Sequence, residues 1–360
     1  MRVFVHLAHS FDARAWEEKW RDGRLLGLNE RTPYGYHHAE RFGCDVTFSQ
    51  DVAETPVHKL FRGGWRVLLG FDLVHAFRNK AAIMAADVVW THTESQYLSV
   101  LAMMKMTGAK RRPKIIGQSV WLIDSWDKLS AAKKVFYRRL IDDADLLTFL
   151  SPLNRDRARQ LFPQKRCEFV PFGINAQIQA PPSERPREGR FRVLAVGNDR
   201  HRDWPTLVEA LGGRDEFEVR IASQTIAPAL VANQPNVTVL SPSSNAELKD
   251  LFVWADAMAL PLRPNLHASG ITVMEEAALF GRPVVCTKVG GIEAYFDDTM
   301  VRYVPPGASD VLRQALTALR DAPAESLAMA QRMQSHMSEL GLSSVAYVRR
   351  HVELSRDLLA

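Results

Sequence analysis

The stretch Ala257-Met258-Ala259-Leu260-Pro261-Leu262-Arg263-Pro264-Asn265-Leu266-His267-Ala268-Ser269-Gly270-Ile271-Thr272-Val273-Met274-Glu275-Glu276-Ala277-Ala278-Leu279-Phe280-Gly281-Arg282-Pro283-Val284-Val285 reads as strand, polar loop, helix and strand in succession. Its first four residues are wholly apolar, the pattern of a strand covered on both faces. Ser269 stands in the N-cap place, Gly281 where a C′ glycine belongs, and Pro283 ends the helical run. Gly270 lets backbone approach a ligand, and the N–H groups of Ile271, Thr272 and Val273 would present the positive helix end to a phosphate. Glu276 falls one to two turns in, placed for ribose hydroxyls. A capped helix with a surface carboxylate accounts for the same residues without any ligand.

The alternation extends in both directions. Strand-like runs occur at 192–196, 218–222, 237–240 and 284–287, with a helix over 203–211. Upstream, Gln179-Ala180-Pro181-Pro182-Ser183-Glu184-Arg185-Pro186-Arg187-Glu188-Gly189 is polar, Pro-rich and without periodicity, as a linker is. Before it, runs at 3–8, 45–49, 87–91, 114–117, 146–150 and 168–171 alternate with helical patterns at 96–106, 130–142 and 154–161. The fold class predicted is α/β, with two Rossmann-like, doubly wound domains over 1–175 and 176–342. A last helix within 343–360 is expected to pack back on the first domain. Ligands are expected in an interdomain cleft, at the carboxyl ends of both sheets.

Composition narrows the partners. The chain has 360 residues, 46% hydrophobic and 24% charged, without a low-complexity tract. No run of 18 apolar residues predicts a transmembrane helix, and the start lacks the n-region and apolar core of a signal peptide. Cys44, Cys167 and Cys286 have no metal-ligand spacing and read as reduced core thiols, pointing to the cytoplasm. The net charge of +5 is uneven: residues 1–175 hold 27 Lys/Arg against 19 Asp/Glu, and residues 176–360 hold 19 against 22. A basic first half favours an anionic partner, although scattered solvated cations give the same count.

The order Pro, loop, Gly, helix, Glu-Ala-x-x-x-Gly-x-Pro-Val-Val, followed by Gly290-Gly291-Ile292-Glu293, resembles the donor-binding signature of glycosyltransferase family 4. Val196-Gly197, a short basic loop and Thr206–Leu211 are similar to the first strand, phosphate loop and helix of that family's C-terminal domain. Asn245–Trp254 with Ala255-Asp256-Ala257, the crossover-like Phe172-Gly173-Ile174-Asn175, and Ala144-Asp145 through Ser151 agree in order. The resemblance implies the GT-B fold and transfer of a sugar, with retention, from a UDP- or GDP-linked donor. The acceptor implied is a lipid-linked or other saccharide in exopolysaccharide or cell-surface glycan synthesis.

Carried over to this sequence, Glu276 would bind the ribose, and the N–H groups of Gly270, Ile271 and Thr272 the diphosphate, with Ser269 beside them. After Gly197 the family usually offers an Arg and then a Lys; Asn198 departs from the first, which leaves Arg200 and Arg202 as cations. Ser243, with Pro242, falls where the backbone would meet the base. The family's first Glu, eight residues before the second, is Ala268 here; His267 and Asn265 are then left to hold the sugar, or the sugar is one a carboxylate would repel. The resemblance implies no cofactor and no metal: helix and guanidinium charge would stabilise the leaving diphosphate, which takes the acceptor's proton.

In the first half, Thr32 is a plausible N-cap before Pro33, and Gly35 would stand in for the family's Gly-rich turn, with His37 and His38 near phosphate or acceptor. His92 follows the strand 87–91, where α/β sites collect polar groups, and Asp124 follows the next strand beyond Gln118. Basic clusters at Lys105–Lys114 and Lys133–Arg139, and the Phe61–Phe71 run interleaved with Arg62 and Arg66, fit an anionic membrane surface or an ordinary amphipathic helix. No nucleic-acid motif occurs. The expectation is a cytoplasmic enzyme, peripheral on the inner face of the plasma membrane. A sugar-nucleotide epimerase of the same fold and a catalytically silent GT-B subunit are the alternatives, kept open by Ala268 and Asn198.

Overall fold

The computed structural model describes residues 1–108, 112–183 and 189–360, so Lys110, Arg111 and the centre of the Pro-rich stretch lie outside the described residues. The chain divides into two units. The first comprises Met1–Arg21, Glu30–Pro171 and Ser344–Ala360; the second comprises Asp22–Asn29 and Phe172–Ser343.

In the first unit, β1 (Arg2–His6), β2 (Asp45–Phe48), β3 (Val88–Thr91), β4 (Lys114–Ser119), β5 (Leu146–Phe149) and β6 (Cys167–Phe169) form one sheet in the order β2-β1-β3-β4-β5-β6. Every pairing is parallel. β3 and β5 are buried at every residue, which is why they read as nearly continuous apolar runs, each with a single threonine, rather than alternating ones. The helix Ser344–Leu359 completes this unit. Trp90 Nε1 donates to Ser355 Oγ (2.8 Å), and the Tyr347 hydroxyl donates to Gln118 Oε1 (2.5 Å).

In the second unit, β7 (Phe191–Val196), β8 (Phe217–Ala222), β9 (Val237–Leu240), β10 (Ala257–Leu260), β11 (Val284–Thr287) and β12 (Arg302–Val304) pair, all in parallel, in the order β12-β11-β10-β7-β8-β9. This is the dinucleotide-binding strand order, and it reverses direction between β7 and β10. Val193, Ala195, Phe217, Ile221 and Ala257 on the strands, with Leu207, Leu211 and Leu316 on the helices, make a continuous core. β12 is a strand the sequence did not announce, because three residues with one apolar member carry no period; β11 recruits it through Cys286–Tyr303 and Thr287–Val304 pairing.

Two local expectations need correction. Thr32 does not cap a helix: Tyr34 (φ 58°) and Gly35 (φ 72°) are left-handed, and the segment Pro33–Phe42 is a kinked 3₁₀ stretch. Thr32 Oγ1 instead meets His37 Nδ1 at 2.8 Å. The basic cluster at 105–114 is not a free field of charge, since Lys105 pairs with Asp143 while Arg112 and Lys114 pair with Asp145. The three cysteines are buried free thiols.

Candidate functional site

The switch point of the second sheet is where its polar side chains converge. The loop after β7 turns on Gly197 (φ 141°) and is laced to the loop after β10. The Asp203 N–H donates to Pro261 O (3.0 Å) and the Arg263 N–H to His201 O (2.8 Å), with an isolated antiparallel bridge from Arg202 to Leu262. This lacing draws Arg202 inward until only 5% of its surface stays exposed. Its Nε donates to Val196 O (3.0 Å) and its Nη1 to Ser269 Oγ (3.0 Å). A side chain at Gly197 would strike the guanidinium, and a Cβ at Gly270 would lie 3.2 Å from Nη1. Burial lowers the Arg202 pKa below its usual value, with Asp199 acting the other way. A guanidinium keeps its charge regardless, and its five N–H donors exceed the two bonds just described. Arg200, on the same loop, is exposed.

The loop 261–270 is braced from within. Asn265 Oδ1 accepts both the His267 and Ser269 N–H groups at 3.2 Å, and the Ala268 N–H donates to Gly290 O (3.1 Å). Ala268 itself is left-handed (φ 53°), a strained conformation for a residue with a Cβ and one that collects at binding loops. Ser269 is not the N-cap: Gly270 (φ 88°) takes that place ahead of the helix Ile271–Leu279, while the serine hydroxyl serves Arg202. The Ile271 N–H is committed to Ala268 O (3.2 Å), so the phosphate-facing part expected of it falls to its neighbours Thr272 and Val273. Both of these line a cavity of about 190 Å³, together with Gly197, Asn198, Ser241, Pro242, Leu26, Gly27 and Glu276. Ser243 does not line it; its N–H and hydroxyl donate to Glu247 (2.8 and 2.9 Å), and Ser241 takes the expected place two residues earlier.

Glu276 forms the floor of this cavity. It is buried, and burial pushes its pKa up to about 7, with one hydrogen bond holding it down. That bond comes from the Leu28 backbone N–H to Oε1 (2.9 Å). The segment 22–29 reaches it because Gly27 is left-handed (φ 94°) and bare; a Cβ there would lie 2.6 Å from Glu276 Oε1. The Leu28 carbonyl accepts from the Asn175 N–H (3.4 Å) and the Gly23 carbonyl from the Asn245 N–H (3.1 Å). The preceding residue, Glu275, is fully buried with neither carboxyl oxygen hydrogen-bonded, so burial pushes its pKa well above the carboxylate range. A carboxyl in that setting stays protonated at neutral pH.

Asp199 gathers the two histidines of the site. It lies 3.0 Å from His201 Nδ1 and 3.7 Å from His267 Nε2, and it accepts the His201 N–H (2.6 Å). Burial disfavours its charge, but the hydrogen bond and charge of His267 and the His201 N–H outweigh that and hold its pKa below the usual range. These ligand-type atoms fall within 4.8 Å of one another and are engaged with each other.

In the first unit, His92 is not an open group at a strand end. Its ring is buried and stacked on Tyr34 (centroids 3.3 Å apart), with Nδ1 3.0 Å from the Tyr36 hydroxyl and 3.3 Å from Gln118 Nε2. Burial drives its pKa well down, so it is neutral. Gly35 packs against Ser344 and Glu30, and His37, its pKa lowered to about 4 by burial and by His38, sits 4.0 Å from the His38 ring. Asp124 is half-buried on the one-turn helix Leu122–Ser125. The residues that sequence reasoning passed over are Asp199, Ser241 and the 22–29 segment. Only Gly27 carries a signal, and a lone glycine in a polar stretch is a weak one.

Solved structures with the same fold are similar over nearly the whole chain. Sucrose-phosphate synthase from Thermosynechococcus elongatus has a TM-score of 0.74 at 14% identity, covering 100% of this chain and 99% of that one. Anabaena HepE in complex with UDP-glucose has 0.66 at 14%, covering 99% of each. The α,α-trehalose-phosphate synthase of Burkholderia xenovorans has 0.63 at 14%, covering 100% of both. The fold, with its loop and helix terminus at the switch point, is that of the GT-B glycosyltransferases. Residues 187–321 match the family model described as Glycosyl transferases group 1. No curated protein matches the chain in sequence.

Proposed function

We propose that the protein transfers a sugar from a nucleoside-diphosphate donor, UDP- or GDP-linked, to a lipid-linked or saccharide acceptor, with retention, in the synthesis of a cell-surface glycan. The observation that carries the reading is the placing of Arg202 between Gly197 and Gly270, with Glu276 on the floor of the adjoining cavity. A diphosphate at that point meets a desolvated guanidinium and the first turn of a helix, and its ribose meets a carboxylate. In the step proposed, the bond from the sugar's anomeric carbon to the diphosphate oxygen breaks and the acceptor oxygen bonds to that carbon. The acceptor's proton passes to the leaving diphosphate. Negative charge grows on the diphosphate, so fixed positive charge there lowers the barrier without a strong base. We assign that charge to Arg202 and the helix, and no metal to the reaction. HepE, which shares the fold, is solved with UDP-glucose, and this favours a UDP-linked hexose donor.

A peripheral place on an anionic membrane belongs to the same reading. No helix among the described residues is long and apolar enough to cross a membrane. The helix Pro56–Leu69 buries none of its residues, and Lys133 Nζ lies beside Gly70 at its C-terminal end. The test is a thermal-shift screen of nucleotides and nucleotide sugars on the native chain and on Glu276→Ala, followed by turnover with and without a prenyl-phosphate-linked acceptor. Binding of UDP or GDP that Glu276→Ala does not weaken would remove the donor-site assignment.

A further inference from the structure

The first unit holds a second cavity, of about 550 Å³, remote in sequence from every donor-site residue and lined by Phe61, Trp65, Phe71, Phe77, Met106 and Phe136 among others. Its size is that of a ligand pocket. Lys105 at its edge is the one charged residue of the lining, and that ammonium is paired with Asp143. Over it lies the helix Pro56–Leu69, which is held at its ends and, through Arg62, at its middle. Thr55 caps the first turn (His58 N–H to Oγ1, 3.3 Å), Arg62 is tied to Glu54 and Asp72, and the Tyr137 hydroxyl donates to Leu69 O (2.6 Å). Between those ties the helix has no buried residue, and Leu60 and Val67 are 78% and 82% exposed. A fourteen-residue helix without one fully buried residue gains little from the packing that normally stabilises helices in proteins, and its exposed apolar side chains call for a partner to cover them.

We infer that this pocket binds the hydrocarbon chain of a lipid with an anionic head, the tail of the lipid-linked acceptor. A peptide is a poor occupant, since its backbone would enter a wall that is apolar but for Lys105, itself already paired with Asp143. A chain of methylenes asks for none. The charge fits as well: Lys59 and Arg66 on the helix, and Lys133 beside Gly70, form no ion pair among the described residues, and each attracts an anionic head. The inference rests on the lipid-linked acceptor of the proposed function.

The experiment is calorimetric titration of the full chain with farnesyl phosphate, isopentenyl phosphate, farnesol and palmitoyl lysophosphatidate. Each buried methylene is worth roughly fourfold in affinity, so farnesyl phosphate is expected to bind saturably and at least a hundredfold more tightly than isopentenyl phosphate. The phosphate should bind more tightly than farnesol, and preference for the prenyl or the acyl lipid identifies the chain. Ala102→Phe fills the pocket from within, and Met106→Trp blocks it from an exposed rim where folding is not at risk. Both should weaken chain binding more than tenfold and leave UDP affinity unchanged. Equal affinity in the folded variants, no gain with chain length, or a dimer that buries the 56–69 helix would overturn the inference. Chain binding without glycosyl transfer to any lipid acceptor would instead leave the pocket standing and sink the proposed acceptor.

Discussion

Arg202 and Ser269 are 67 residues apart in sequence, yet the guanidinium donates from Nη1 to the serine hydroxyl at 3.0 Å and so joins the two loops of the switch point. The bond makes Arg202 a fixed charge rather than a mobile one. A cation already desolvated and held needs no reorganisation when charge develops on a leaving diphosphate.

Arg202→Lys is therefore expected to lower kcat by about a hundredfold while changing KM little, since lysine keeps the charge and loses the two-sided brace. Arg200→Ala, on the exposed part of the loop, should cost less than tenfold. Gly197→Ala should resemble Arg202→Lys, because its methyl group would displace the guanidinium. Steady-state kinetics of the three variants checks the order. Similar losses at positions 200 and 202 would mean that burial of Arg202 has no part in turnover.

The bond from the Leu28 N–H to Glu276 predicts a role for a segment far from the signature. Gly27→Ala would bring a methyl group against the carboxylate and force a left-handed alanine, so it should dislodge residues 22–29. UDP affinity is expected to fall by roughly ten- to a hundredfold, the worth of a bond to a charged group. The pH above which UDP binds well should also rise, because the Leu28 N–H is what holds the Glu276 pKa down. Unchanged affinity and pH profile in a folded variant would make the segment an ornament.

How far the sequence discloses this site depends on how local each contact is. The helix Ile271–Leu279, its glycine and Glu276 were legible because strand, turn, helix and stop follow one another within 29 residues. The same local logic misassigned Ser269, whose hydroxyl answers to Arg202 and not to its own helix. It also gave the cavity wall to Ser243, two residues too late, since a loop's side-chain directions follow from capping bonds such as Ser243 to Glu247 that spacing does not reveal. Leu28 and Glu276 stand 248 residues apart and share no period, so nothing short of the folded chain joins them. His92 was legible as a strand-end residue but not as a buried one, because its cover comes from Tyr34, Tyr36 and Gln118 on two other elements.

Glu276→Gln should separate stability from function. Native Glu276 has its pKa raised to about 7, while in the unfolded chain it titrates near 4.5. Between those values the native state binds more protons than the unfolded one, so this group's contribution to stability falls as pH rises from 4.5 to 7. Above pH 7 the loss is complete, on the order of 3 kcal/mol. The amide avoids it and should raise the melting temperature at pH 8, with little change at pH 5, while UDP binding weakens by tenfold or more at pH 8. Thermal melts at the two pH values, each with and without UDP, decide it.

The first unit should respond to pH in the opposite sense. His6, His37, His75, His92 and His351 all have pKa values lowered chiefly by burial, and all belong to that unit. Each is neutral when folded and binds a proton near pH 6.5 once unfolded. Below pH 6.5 the unfolded chain therefore carries more protons, and the stability these side chains confer is lost progressively as pH falls toward their folded values. The second unit meanwhile gains from protonation of Glu276. Scanning calorimetry at pH 8 and pH 5.5 is expected to show the first unit's transition moving down on acidification relative to that of the second, with hydrogen exchange assigning each transition by the amides of β3 and β10. His92→Asn, which cannot take up a proton, should recover part of the shift. Parallel movement of both transitions, or none, would mean that these buried histidines contribute nothing net to the acid response.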